Sequence, residues 1–134
     1  MTLPVIDVST LFGVAGKSAL VVGATGAFGK VVCATVGNAG AKLTIAAGNA
    51  GELATLQSEL HARHIDATIV AKRPNSEDDC GAMTAAAVAA YGRIDILVVA
   101  SGMNDVAPIV EMTPELSTRR VPPWSMILCC PRIT

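Results

Sequence analysis

The sequence predicts an α/β fold built on a parallel sheet, with helices on both faces and an irregular C-terminal tail. Three observations predict it. Short apolar runs alternate with helical stretches at the spacing of βαβ units. The first run opens into a glycine-rich turn, Gly23–Gly29, directly ahead of a helical segment. The core must be made of small aliphatic side chains, since 51% of residues are hydrophobic but only Phe12, Phe28, Tyr91 and Trp124 are aromatic.

The elements follow in order. Residues 1–17 read as a lead-in, broken by Pro4 and by Gly13-Val14-Ala15-Gly16. Ser18–Val22 is a short apolar run of the kind buried on both faces of a sheet. Lys30–Val36 fits a helix closing near Gly37-Asn38 or Gly40. Lys42–Ala47 is the second strand, and Gly48 and Asn49 make a turn. Glu52–His64 is amphipathic, with Leu53, Leu56 and Leu60 at helical spacing. Ala67–Ala71 is the third strand. Pro74 interrupts the chain, Ser76 caps a helix with acidic residues in its first turn, and Gly92 ends that helix after Tyr91. Ile94–Val99 is the fourth strand. Right-handed crossovers then give the order 3-2-1-4, a Rossmann-like half of a doubly wound sheet. Beyond Glu115 the periodicity stops. Pro122, Pro123 and Pro131 fall in this tail, where only Met126–Cys130 suggests a short strand.

Composition removes several classes of function. A net charge of −1 with no basic run argues against a nucleic-acid partner. No apolar stretch reaches the roughly 18 residues that a membrane span needs. The N-terminus carries Asp7 and no basic lead, so it does not read as a secretory signal. Cys33, Cys80, Cys129 and Cys130 match no zinc spacing, and reduced thiols suit a cytoplasmic protein. His61 and His64 are three apart on the expected helix, yet a metal would need further ligands, so no metal site is assigned.

The chemistry lies in Gly23-Ala24-Thr25-Gly26-Ala27-Phe28-Gly29. The motif gains weight from its place between strand and helix. Gly23 permits the tight turn, Gly26 lets the backbone approach a pyrophosphate, and Gly29 lets the helix pack close to the sheet. The helix start favours an anion, and Thr25 offers a hydroxyl.

At these residues the chain resembles the short-chain dehydrogenase/reductase family, over roughly residues 12–115. The Gly-x-x-Gly-x-x-Gly spacing is similar to that of the family's extended members. Tyr91–Val98, then Asp105–Ile109 and Glu111–Glu115, look like the shorter members' approach to strand four and the loop and helix start after it. The resemblance implies an NAD(P)-binding domain at 1–115, incomplete, followed by an irregular tail at 116–134. The dinucleotide contacts it implies fall on Gly23, Thr25, Gly26, Phe28, Gly29, Asn49, Lys72, Ala100 and Gly102.

The family pattern also fails in places. Its Asn-Asn-Ala-Gly motif stands here as Val99-Ala100-Ser101-Gly102, so two polar side chains are absent while Gly102 still permits close approach. Lys72, a donor, occupies the place of an acidic adenine contact, and a solvated lysine is the plainer reading. Ala47, Gly48 and Asn49 carry neither an acid for a ribose hydroxyl nor a base for a ribose phosphate, which leaves NAD versus NADP open. The resemblance implies catalysis by a Ser with Tyr-x-x-x-Lys. Tyr91 is followed four residues later by Asp95, so no catalytic residue is assigned.

Two readings follow. One is an oxidoreductase relative that binds dinucleotide and lacks the catalytic half, as a frameshift, a splice junction or a shortened gene would leave it. The other is a non-enzymatic nucleotide-binding or interaction module, in which an exposed edge at strand four pairs with a second copy or a complementing chain.

Overall fold

The computed structural model describes residues 12–102. Its elements run β1 (Ser18–Val22), α1 (Ala27–Asn38), β2 (Lys42–Ala47), α2 (Ala50–His61), β3 (Ala67–Ala71), α3 (Glu77–Tyr91) and β4 (Ile96–Val99). The four strands form one parallel sheet of order β3-β2-β1-β4, as the sequence predicts. The tail, the short strand expected at 126–130, Trp124, Cys129, Cys130 and the boundary at 115/116 lie outside the described residues.

Alternation along each strand divides the core in two. Ala19 and Val21 of β1 and Leu43 and Ile45 of β2 face α1 and α2, packing with Cys33, Leu53, Leu56 and Leu60. Leu20, Val22 and Ala46 point the other way and pack with Cys80 and Met83 of α3. Helices therefore cover both faces, which is why every residue of β1 is buried. Each fully buried aliphatic side chain of this kind contributes about 1.5–3 kcal/mol.

The element ends show where local pattern and packing part. β4 begins at Ile96, not Ile94, because Asp95 is occupied at the strand entrance: its N–H donates to Ser18 O at 2.9 Å, and its Oδ2 accepts from Ser18 N at 3.0 Å. α2 ends at His61, three residues short of the expected end. His64 takes the left-handed conformation, φ 61°, and Ile65 N–H donates back to Leu60 O, which closes the helix and drives Ile65 into the core. The two histidines therefore do not share a helical face. Among the described residues no cluster of His, Cys, Asp or Glu could hold a metal ion, and no helix is long and apolar enough to cross a membrane.

Candidate functional site

All four strands point the same way, so the segments that follow them gather along one edge of the sheet. Gly23–Gly29 leaves β1, Gly48-Asn49 leaves β2, Lys72-Arg73 leaves β3 and Ala100–Gly102 leaves β4. The chain winds outward through β2 and β3 and then crosses to the opposite side of β1, so the carboxyl ends of β1 and β4 lie at a switch point. In open sheets of this type that is where ligands bind.

The glycine turn is shaped by close backbone approach. Gly23 has φ 80°, and a Cβ there would stand 2.6 Å from Ser101 N. Gly29 is buried in the first turn of α1, and its Cβ would stand 2.8 Å from Ala24 Cα and closer still to Gly23 O. Gly26 is different. It is exposed, has an ordinary extended conformation (φ −69°, ψ 162°), and its Cβ would meet Gly23 O no nearer than 3.4 Å. The fold demands glycine at 23 and 29 but not at 26.

The helix beyond begins without a side-chain cap, since Gly26 is its N-cap. The first internal bond runs from Lys30 N–H to Gly26 O at 2.9 Å, which leaves the N–H groups of Ala27, Phe28 and Gly29 facing the edge without a helical acceptor. The other two helices are capped. Asn49 Oδ1 accepts from Gly51 N and Glu52 N, and Ser76 Oγ accepts from Asp79 N. Thr25 is half-buried within the turn, and Phe28 is exposed at the start of α1.

The remaining expected contacts fall as follows. Asn49 lies at the edge, but its side-chain oxygen is committed to the cap of α2. Lys72 is an exposed residue whose Nζ pairs with Asp79 at 3.0 Å. Asp79 is held below the ordinary carboxylate range by hydrogen bonds from Lys72 and Ser76. Ala100 continues the β4 ladder, donating to Val22 O at 2.7 Å, and Gly102 is exposed beyond it.

Two residues that sequence reasoning passed over as ligand contacts also stand here. The Ser101 hydroxyl is buried and has no hydrogen-bond partner among the described residues. Ser18 and Thr44 share that property, but Ser18 opens β1 and Thr44 lies mid-strand; only Ser101 stands at the carboxyl edge. The second is Arg73, whose side chain lies across Gly48. Ser101 lies within the altered Val99–Gly102 motif, where the residue type gives no sign of an unpaired hydroxyl, and Arg73 has no motif to mark it. Tyr91, by contrast, is built into the fold: its hydroxyl donates to Leu43 O at 3.1 Å and lies 3.2 Å from Thr68 Oγ1. Burial raises its pKa, and a cleft between α1 and α2, beside Lys30, Val31 and Leu56, is on another face.

Among the described residues this edge offers an anion three N–H groups without a helical acceptor, a dipole of the right sign, a close backbone approach and a hydroxyl without a hydrogen-bond partner. A dinucleotide with a central pyrophosphate fits such a donor set.

The short chain dehydrogenase family model matches residues 17–122. An uncharacterised oxidoreductase of Mycobacterium tuberculosis (strain H37Rv) is 47% identical over 104 residues, which are 78% of this chain and 38% of that protein. A short-chain dehydrogenase/reductase from Mycobacterium marinum superposes with a TM-score of 0.82 at 26% identity, covering 92% of this chain and 51% of that one. A variant of the actinorhodin polyketide ketoreductase, solved with NADPH, gives a TM-score of 0.74 at 25% identity over 85% of this chain and 47% of its own. The chain thus spans well under two thirds of the length of these relatives.

Proposed function

The chain belongs to the short-chain dehydrogenase/reductase family of oxidoreductases, whose members bind NAD(P), and on that premise we propose that these residues hold an NAD(P) dinucleotide across the carboxyl edge of the sheet. The observation that carries the proposal is Gly26. Its backbone angles and surroundings accept a Cβ, so packing does not explain glycine there. A pyrophosphate lying against the turn does.

In this reading the N–H groups of Ala27, Phe28 and Gly29 donate to the pyrophosphate, and Thr25 stands within the same turn. Ser101 and Gly102 border the half of the ligand that extends toward β4. Asn49 keeps its amide N–H donors for the adenosine side while its oxygen caps α2. The dinucleotide supplies hydride chemistry when bound. This chain's own part is to bind and orient it. Tyr91 takes no part, because its hydroxyl is spent on Leu43 O and the residue four further on is Asp95. The buried thiols Cys33 and Cys80 suit a cytoplasmic setting.

Titration of the purified chain with NADH and NADPH, followed by nicotinamide fluorescence, tests this. Binding is expected, and Gly26→Ala should weaken it by about tenfold while the circular dichroism spectrum and melting profile stay near wild type. Equal affinity in wild type and Gly26→Ala, or no binding at all, would remove the proposal.

A further inference from the structure

We propose that Arg73 makes this chain selective for NADP(H) over NAD(H). The inference rests on the dinucleotide reading above and deepens it.

The end of β2 is where an open sheet of this order meets the adenosine ribose, and an arginine nearby accommodates a 2′-phosphate. Residues 47–49 are Ala, Gly and Asn, so the local sequence brings no charge there. The fold does. β3 pairs beside β2 in parallel register, Ala47 against Ala71, which sets Arg73 next to Gly48. The Arg73 side chain crosses Gly48 so closely that a Cβ there would stand 2.6 Å from its Cγ and 2.9 Å from its Cδ, with Nε nearer still. Glycine at 48 is what lets the arginine lie over the turn.

The backbone that presents it is fixed. Lys72 N–H donates to Val70 O at 2.9 Å, Asn75 N–H donates to Arg73 O at 2.9 Å, and Pro74 is buried. Among the described residues the guanidinium has no ion-pair partner: the ion pairs are Lys72 with Asp79 and Arg93 with Asp95, and neither includes Arg73. An exposed guanidinium held beside a ribose site, with its neighbouring lysine already neutralised, matches a phosphate dianion in charge and in its forked donor geometry. Glu52, in the first turn of α2, is the acidic residue in the segment that follows β2. Were it to govern the ribose, the preference would invert.

Direct titration of the full 134-residue chain tests the proposal, with NADPH and NADH as dinucleotides and 2′,5′-ADP and 5′-ADP as probes of the adenosine end alone. NADPH should bind on the order of tenfold or more tighter than NADH, and 2′,5′-ADP tighter than 5′-ADP by a similar factor. Arg73→Ala should bring both ratios toward one by weakening only the phosphorylated ligand. Gly48→Ala should do the same with Arg73 still present, because the new Cβ displaces the side chain, and its backbone angles lie outside the left-handed region. Arg73→Lys should restore part of the ratio. Binding of both dinucleotides with equal affinity, or tighter NADH, overturns the selectivity and leaves the dinucleotide site standing. A parallel loss for both ligands in Arg73→Ala overturns it too, since that is the mark of a structural role. Failure of wild type to bind either dinucleotide overturns both proposals.

Discussion

Gly26 and Gly29 lie one helical turn apart and answer to different constraints. Gly29 is where α1 meets the strand that precedes it, and there is no room for a methyl between its Cα, Ala24 and Gly23 O. Gly29→Ala should therefore cost stability outright, by about 1–3 kcal/mol or more, since the opposing atoms are backbone and cannot swing away. Thermal denaturation of Gly26→Ala and Gly29→Ala in parallel measures this. A Gly29→Ala protein that melts with wild type would show that the helix is not packed as described. Loss of binding in a Gly29 variant says little about the cofactor, because the same change disturbs the fold. Cys33 shows the same primacy of packing. Burial pushes its thiol up to about 11, which makes it an inert core residue.

At the scale of elements, the junction of β1 with β4 carries an electrostatic tie. Asp95 accepts from Ser18 N, and its other oxygen pairs with Arg93. The Ser18 N–H, then Arg93, hold the carboxyl below its ordinary value of 3.8. A group with a lowered native pKa binds fewer protons folded than unfolded, so it stabilises the fold above 3.8 and loses that contribution as pH falls through the native value. The same sign applies to Asp79 beneath Lys72 and Ser76. Asp95→Asn removes the titration, so its stability should decline less steeply than that of wild type below about pH 4. Urea denaturation at a series of pH values from 7 downward checks it. Identical slopes for the two proteins would mean the contact is not formed in solution.

At the scale of the molecule, holding a cofactor and using it are separate achievements. The 134 residues contain one tyrosine, and it braces α3 against β2 and β3 with no lysine four residues on. Positioned proton transfer contributes about a hundred- to ten-thousand-fold to rate, and a loss at the transition state is not recovered by excess substrate. A panel of alcohols, ketones and sugars with both nicotinamide cofactors should therefore give background rates with this polypeptide. Turnover that follows the protein through purification and disappears in Gly26→Ala would show that a proton-transferring group stands elsewhere in the chain.

The sequence by itself determined the order and type of the elements and, through the handedness of βαβ crossovers, the order of the strands. Those features are written in local periodicity and in chain connectivity, both one-dimensional. It also marked Gly23–Gly29, because a turn that needs small residues shows itself in residue type. It misplaced the end of α2 and the start of β4, since Ile65 and Asp95 are governed by partners distant in the chain, the core and Ser18. Only the tertiary structure decided that Gly26 is spare to the fold while Gly29 is not, that the Ser101 hydroxyl at the sheet edge has no hydrogen-bond partner among the described residues, and that Arg73 crosses Gly48. Residues 48 and 73 are joined by strand register, and no spacing within the sequence encodes how far a side chain reaches across a neighbouring strand.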